Sequence, residues 1–303
     1  MIDKKKLIEA GVQFGHQKSK WCPKMKPYIW GFKNNVHLID VSKTAVLLEK
    51  ATKFLESIVA SGKTILLVGT KKAAQNAIHD IAKELNLPYV NNRWIGGTFS
   101  NFRQVKKSVA NYLHYKDILE KSSDFNYTKK ELNLIQKKLE RLEKNVGGIV
   151  KLNWPIGAVL VVDAKKEEVC IKEAIMVSIP IVSIVDTNSN PTNIDYVIPA
   201  NDDSPKSINL LLNYIAQGIK AGQEIAKSKN FEELKEREAI NDSLESENKI
   251  SFEEDTEEEE KEVKRKTTAG NESAKNVKKA PKPKFFKKAN EPVEKNKEPK
   301  SDS

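Results

Sequence analysis

Two long stretches of the chain combine basic and aromatic residues and contain no acidic residue. The first basic window lies between Glu9 and Asp40, and the second basic window lies between Glu84 and Asp117. Lysine and arginine neutralise backbone phosphates, while aromatic rings and guanidinium planes stack on unpaired bases. Lysine runs are more often solvated faces and spaced aromatics more often pack in a core. The lack of any carboxylate over so long a stretch, twice, nevertheless favours contact with nucleic acid.

The two windows contain the candidate RNA-binding residues. The predicted phosphate contacts are the basic side chains Lys18, Lys20, Lys24, Lys26, Arg93, Arg103, Lys106 and Lys107. Trp21 and Trp94 are predicted to support them by packing or stacking. Trp21, Tyr28 and Trp30 could instead hold the first window against the protein's own core. His16 either contacts RNA or satisfies a local backbone group, and its residue type does not decide between the two.

The distribution of charge also favours a polyanionic partner. The chain has 303 residues and a formal net charge of +10. Residues 231–260 carry −11 and residues 261–303 carry +8, so that residues 1–230 carry +13. Such an excess suits RNA or an anionic membrane surface. No stretch approaches the roughly 20 apolar residues of a spanning helix, and we therefore expect no membrane partner.

The cysteine count limits the possible compartment and the possible sites. Cys22 and Cys170 are the two cysteines, which excludes a disulfide framework and a thiolate-rich zinc site. The chain starts with cationic residues but no apolar run follows them, so no signal peptide is expected. The sequence thus predicts a cytoplasmic protein without a cofactor.

Continuous apolar runs alternate with helical patterns over most of the chain before Asn230. The predicted strands are 65–68, 89–90, 158–162, 181–185 and 196–198, and the predicted helices are 45–60, 73–85, 167–177 and one that starts at Ser204 and Pro205. Strands that are apolar on both faces and separated by helices indicate a parallel sheet covered on both sides. The predicted fold class is therefore α/β, with a doubly wound, flavodoxin- or Rossmann-like parallel sheet.

An insertion between the second and third of these strands has helical periodicity in both halves. Phe102 begins the first half, and Thr128 with Glu131 begins the second at the spacing of a capping box. A polar turn over 121–126 joins them, which predicts an antiparallel helical hairpin that ends at Gly147. The predicted organisation is a basic aromatic N-terminal arm (1–40), an α/β core (41–100 and 147–228), the hairpin (101–146) and a disordered charged tail (229–303).

Two features leave an enzyme as the alternative hypothesis. Gly62 to Thr64 match the end of a phosphate-binding loop, but Ser57 replaces the required earlier glycine and the motif precedes its strand. A simple turn explains it better. Asp163 and Asp186 end predicted strands, where open α/β sheets bind ligands, although aspartate is also common in turns there. An enzyme acting on a phosphorylated small molecule would use this edge. The four histidines show no metal-binding spacing.

Three separated motifs resemble a known family, that of bacterial small-subunit ribosomal protein two. They are Leu7 to His16 with Trp21 to Ile29, Asn92 to Thr98 with Asn101 and Phe102, and Asp186 to Asp203. The resemblance covers residues 1 to about 226. It implies a doubly wound sheet with a protruding helical hairpin, no catalysis, and binding to small-subunit ribosomal RNA (rRNA).

In that family the protein sits between head and body of the small subunit, joins late in assembly and helps to dock the large messenger-binding ribosomal protein. The resemblance therefore implies rRNA and neighbouring ribosomal proteins as partners, and a ribosome-bound protein. A free adaptor whose hairpin docks other proteins is a third hypothesis. The tail departs from the family pattern, and Phe285 and Phe286 among its lysines could be solvated or could contact RNA or protein weakly.

Overall fold

The N-terminal segment that ends at Asp40 contains a small antiparallel sheet. The computed structural model describes residues 2–121 and 128–229. Its first elements are α1 (Lys4–Glu9), β1 (Phe14–Gln17), β2 (Ile29–Lys33) and β3 (Val36–Ile39), with short 3₁₀ helices over Lys18–Lys20 and Pro23–Tyr28. The strands pair in the order β1-β3-β2. Asn34 and Asn35 form the two-residue turn between β2 and β3, with φ of 49° and 60°. Asparagine tolerates this left-handed conformation well.

A five-stranded parallel sheet forms the centre of the protein. Its strands are β4 (Thr64–Val68), β5 (Tyr89–Val90), β6 (Ile156–Val162), β7 (Ile181–Val185) and β8 (Tyr196–Pro199). They lie in the order β5-β4-β6-β7-β8, which is the flavodoxin-like order of doubly wound sheets. All seven residues of β6 and all five of β7 are buried, because helices cover both faces. The predicted parallel sheet is confirmed.

Helices cover the two faces of this sheet in two groups. The helices after α1 are α2 (Val41–Ala60), α3 (Lys72–Glu84), α4 (Phe102–Glu120), α5 (Lys129–Val146), α6 (Glu168–Met176) and α7 (205–229). Leu48, Ile78 and Leu211 place α2, α3 and α7 in one core cluster. Cys170 and Val146 place α6 and the end of α5 in the other. The doubly wound architecture of the prediction is therefore present. No helix within the described residues is both long and apolar enough to cross a membrane.

Helices α4 and α5 pack against each other as the predicted antiparallel hairpin. The ammonium of Lys138 lies 5.9 Å from the ring centroid of Tyr115, so a late residue of α4 meets the middle of α5. The backbone N–H of Thr128 donates to Glu131 Oε2 at 2.9 Å, and the capping box is complete. Val105 and Val146 are the buried residues of the two helices, so the core anchors only the base of the hairpin.

Part of the predicted organisation falls outside the described residues. Most of the predicted hairpin turn lies outside them, at residues 122–127. So does nearly all of the predicted tail, at residues 230–303. The four predicted domain boundaries stay predictions.

Candidate nucleic-acid interface

The eight basic side chains predicted to contact phosphate are all exposed. Four lie in or beside the 3₁₀ turns of the N-terminal segment, Arg93 lies in the loop after β5, and three lie in the first two turns of α4. Within residues 2–121 and 128–229, none of the eight forms an ion pair. Lys18 lies 4.7 Å from the ring centroid of Phe32, and Lys106 lies 5.1 Å from that of Phe102. These cations are therefore available to an external anion.

The predicted aromatic supports pack inside the protein. Trp94 is only 8% exposed, and its ring centroid lies 4.9 Å from that of Phe99. Trp21 is half-buried, with its ring centroid 5.2 Å from that of His37. Of the two predicted roles, packing and stacking, these positions favour packing. The alternative in which Trp30 packs against the core has no support, because its side chain is 76% exposed.

A buried carboxylate on α6 organises the loop of the second basic window. Glu173 is 7% exposed. Its Oε1 accepts hydrogen bonds from Trp94 Nε1 at 3.3 Å and from the backbone N–H of Gly97 at 2.8 Å. Its Oε2 accepts one from the backbone N–H of Phe99 at 3.0 Å. The backbone N–H of Ser100 also donates to Oε2, at 3.5 Å. Glu173 thus satisfies donors from four positions of the loop that follows Arg93, and it fixes the direction in which that loop leaves the sheet.

The imidazole of His16 contacts protein groups through both of its nitrogens. Nδ1 lies 2.9 Å from Asp186 Oδ2. Nε2 lies 3.0 Å from Asn188 Nδ2 and 3.4 Å from Asp203 Oδ2. The hydrogen bond with Asp186 raises the pKa of His16, which burial opposes and the surrounding carboxylates reinforce. This geometry favours an internal role for His16, although its partners are side chains and not the backbone group that the sequence suggested.

The carboxyl edge of the parallel sheet gathers acidic residues around one lysine. We call the following group the carboxyl-edge cluster: Asp163, Asp186, Asp202 and Asp203 with Lys71 and His16. Lys71 Nζ lies 2.6 Å from Asp202 Oδ1 and 3.5 Å from Asp163 Oδ2. Burial lowers the pKa of Lys71, but hydrogen bonds to the aspartates outweigh this effect and raise it overall. Burial and the neighbouring carboxylates raise the pKa of Asp202 to about 7.

The cluster includes a set of donors that could hold a divalent cation. His16, Asp186, Asp202 and Asp203 each offer one ligand atom, and these atoms lie within 4.8 Å of one another. One nitrogen and three carboxylate oxygens suit such ions. Spacing along the chain did not predict this group, because His16 belongs to the N-terminal segment and its partners follow β7 and β8. The third sequence motif nevertheless includes all three aspartates.

The same cluster fastens the N-terminal segment to the sheet. The backbone N–H of His16 donates to Thr187 Oγ1 at 2.8 Å, and that of Cys22 donates to the Thr187 carbonyl at 2.7 Å. A Cβ on Gly15 would lie 2.6 Å from Thr187 Cγ2. Strand β1 can therefore approach Thr187 this closely only because residue 15 is glycine. The first basic window is therefore attached at the sheet edge where many α/β proteins bind ligands.

The alternative of an enzyme acting on a phosphorylated molecule has no support at this edge. Asp163 and Asp186 follow β6 and β7 as predicted, but the cluster contains more carboxylates than cations and would repel a phosphate. Gly62, with φ of +76°, forms the turn between α2 and β4, as the sequence favoured over a phosphate-binding loop.

Comparison with known proteins identifies the family. Residues 7–222 match the family described as ribosomal protein S2. Proteins named small ribosomal subunit protein uS2 are similar over most of the chain. The one from Karelsulcia muelleri is 44% identical over 72% of this chain and 99% of its own length. That from Cytophaga hutchinsonii is 45% identical over 78% and 94%, and that from a Nitratiruptor species is 41% identical over 86% and 100%. The chain belongs to the ribosomal protein S2 family, a structural and non-enzymatic family, as its motifs predicted.

Proposed function

We propose that this protein is a structural constituent of the small ribosomal subunit that binds small-subunit rRNA and neighbouring ribosomal proteins during translation. The exposed, unpaired cations of the two basic windows are the observation that supports binding to rRNA. Phosphate binding needs cations that no internal carboxylate neutralises, and the eight predicted side chains satisfy this requirement among the described residues. A ribosome-bound, cytoplasmic location follows from this function.

The aromatic side chains of the N-terminal sheet support the protein half of the proposal. Phe14, Trp30 and Phe32 are 49%, 76% and 62% exposed. Large apolar side chains that are exposed in one small sheet are typical of interaction surfaces. A neighbouring ribosomal protein, including the large messenger-binding one, would cover such side chains in the assembled subunit.

The salt dependence of binding tests the RNA contacts. With small subunits prepared without this protein as the probe, we expect the logarithm of the binding constant to fall linearly with the logarithm of salt concentration. The slope should be about −0.7 to −0.9 for each phosphate neutralised. Alanine at Lys18, Lys20, Lys24 and Lys26 together should reduce the magnitude of the slope by about 3. Sedimentation at several salt concentrations measures both quantities.

A matched control separates local contacts from total charge. Alanine at the exposed lysines Lys50, Lys83, Lys172 and Lys206 removes the same charge from helices α2, α3, α6 and α7, and should leave the slope nearly unchanged. If the two quadruple variants change the salt slope equally, binding depends on the total charge of the protein and not on local contacts made by the basic windows. A wild-type slope near zero contradicts the RNA half of the proposal. Protein that stays in the free fraction of a lysate would favour the adaptor hypothesis.

A further inference from the structure

An exposed tryptophan lies beside the base of the hairpin, outside both basic windows. Trp154 is 44% exposed and belongs to the loop between α5 and β6. Its ring centroid lies 5.7 Å from that of Phe102, with 40° between the ring planes. Phe102 is the first residue of α4 and is partly buried. The two rings therefore form an aromatic pair in which the indole is partly exposed to solvent.

The loop holds Trp154 in this position. Leu152 and Ile156, on either side of it, are 3% and 7% exposed and belong to the core. The backbone N–H of Leu152 also donates to the carbonyl of Ile149 at 3.0 Å. Asn153 and Pro155 are exposed like Trp154 itself, but Leu152 and Ile156 are buried two positions before and after it, so the indole lies at the surface in a short segment that is anchored at both ends. An aromatic ring that is fixed before binding loses little conformational entropy when a ligand stacks on it.

The surroundings of this pair are cationic. Lys106 lies 5.1 Å from the ring centroid of Phe102, and Arg103 follows Phe102 directly and is exposed. The chain from Lys144 to Val162 contains no acidic residue, and neither does the second basic window that contributes Phe102. An aromatic face flanked by cations and free of nearby acidic sequence is complementary to an unpaired nucleotide, whose base stacks while its phosphate is neutralised.

We propose that Trp154 and Phe102 form a stacking platform for an unpaired nucleotide of small-subunit rRNA, with Lys106 and Arg103 binding the adjacent phosphates. The platform rests on the proposed RNA-binding function and adds to it a base contact that the sequence did not indicate. Of the tryptophans that the sequence favoured, Trp94 is buried and Trp21 is half-buried, whereas Trp154 is exposed. Stacking tolerates any base, so the platform implies no particular sequence.

Substitutions at Trp154 test the platform in the full chain, with small subunits prepared without this protein as the probe. Trp154→Ala and Trp154→Leu should each weaken binding about 5- to 100-fold. Trp154→Phe, which keeps an aromatic face, should stay within about 3-fold of wild type. Leucine retains an apolar contact with Phe102, so a loss with leucine but not with phenylalanine identifies stacking. If the alanine variant fails to fold, comparison of the leucine and phenylalanine variants still shows whether Trp154 binds by stacking.

The salt dependence separates the base contact from the phosphate contact. The Trp154 variants should lower affinity at every salt concentration without changing the slope, whereas Lys106→Ala should reduce the slope by about 0.7 to 0.9. Met176→Ala, at a side chain of α6 that is 76% exposed, serves as the control and should bind like wild type. Wild-type affinity of the leucine variant, with a steep salt slope retained, overturns the platform alone. Absence of salt-dependent binding by the wild-type chain overturns the proposed function and the platform together.

Photocrosslinking identifies the class of molecule that covers Trp154. In subunits assembled with a chain that carries the photoreactive aromatic residue p-benzoylphenylalanine at position 154, mass spectrometry should find that position crosslinked to a nucleotide of rRNA. A crosslink from that position to another ribosomal protein, with none to RNA, would assign the surface to a protein partner and overturn the platform.

Discussion

Replacing Glu173 with glutamine is expected to lower the free energy of unfolding by about 2–4 kcal/mol. The carboxylate is 7% exposed and accepts hydrogen bonds from Trp94 Nε1 and from the backbone N–H groups of Gly97 and Phe99. Glutamine has one oxygen, and its NH₂ group would face an N–H donor. At least one buried donor would lose its acceptor, and an unsatisfied buried group is expensive.

Urea denaturation of both proteins measures this loss. The control is Glu168→Gln on the same helix, because Glu168 is exposed and, within residues 2–121 and 128–229, its carboxylate pairs only with Lys172, at 2.7 Å. Solvent screens an exposed pair of this kind, which therefore contributes little to stability, so the control should unfold like wild type. If the Glu173→Gln variant is as stable as this control, the hydrogen bonds of the Glu173 carboxylate contribute little to stability.

A second readout connects Glu173 with RNA binding. Because the carboxylate fixes the loop that follows Arg93, its loss should also weaken binding to small subunits under conditions in which the variant remains folded. The effect should appear as lower affinity with an unchanged salt slope, since no phosphate contact is removed. Glu173 is therefore expected to act as a positioning residue for the second basic window, without contact with RNA itself.

The sequence predicted those elements whose signals are local. Strands β6 and β7 are buried on both faces, which produces the continuous apolar runs at 158–162 and 181–185. Thr128 and Glu131 predicted the start of α5 because a capping box spans only four residues. In the N-terminal sheet the strands have only four or five residues and mixed burial, so no clear period predicted them. The Asn34–Asn35 turn was the available signal.

Contacts between distant residues could not be predicted in this way. In the sequence Glu173 does not differ from other charged residues of a helix. Its contact with Trp94, 79 residues earlier, arises only from the fold. His16 meets Asp186 although one lies in β1 and the other follows β7. Trp94 and Trp30 were likewise indistinguishable by residue type, although one is buried and the other exposed. Residue types indicated the chemistry of the two windows, whereas tertiary packing decided which aromatic side chains remain accessible.

The carboxyl edge has an internal function in this protein. In other doubly wound folds this edge binds ligands, but here His16 and the backbone of the first basic window occupy it through Asp186 and Thr187. Such an arrangement needs several carboxylates to lie close together in a partly buried site. Their mutual repulsion has to be balanced by cations, and Lys71 provides a central one, with ion pairs to three of the four aspartates.

Replacing Lys71 with methionine is therefore expected to lower the free energy of unfolding by about 3–5 kcal/mol. Methionine has a similar length and preserves much of the packing, but it leaves the fully buried Asp202 beside Asp163 and Asp186 without its cation. The pKa of Asp202 is already raised to about 7, so without Lys71 this carboxyl has to take up a proton at neutral pH, and the full loss of stability is expected above about pH 8, where it is forced to stay charged. Because these carboxylates hold the first basic window, the variant should also bind small subunits more weakly. Urea denaturation with a chelator present, so that no divalent cation replaces the lost charge, measures the stability.

Two further variants test the electrostatic cause. Lys72→Met changes the neighbouring exposed lysine and should alter stability by less than about 0.5 kcal/mol. Adding Asp202→Asn to Lys71→Met removes the unbalanced charge and should recover more than half of the lost stability, which a double-mutant cycle reports as a coupling between the two positions. If the two substitutions are simply additive, the loss at Lys71 arises from packing, and the carboxyl-edge cluster does not depend on its lysine for charge balance.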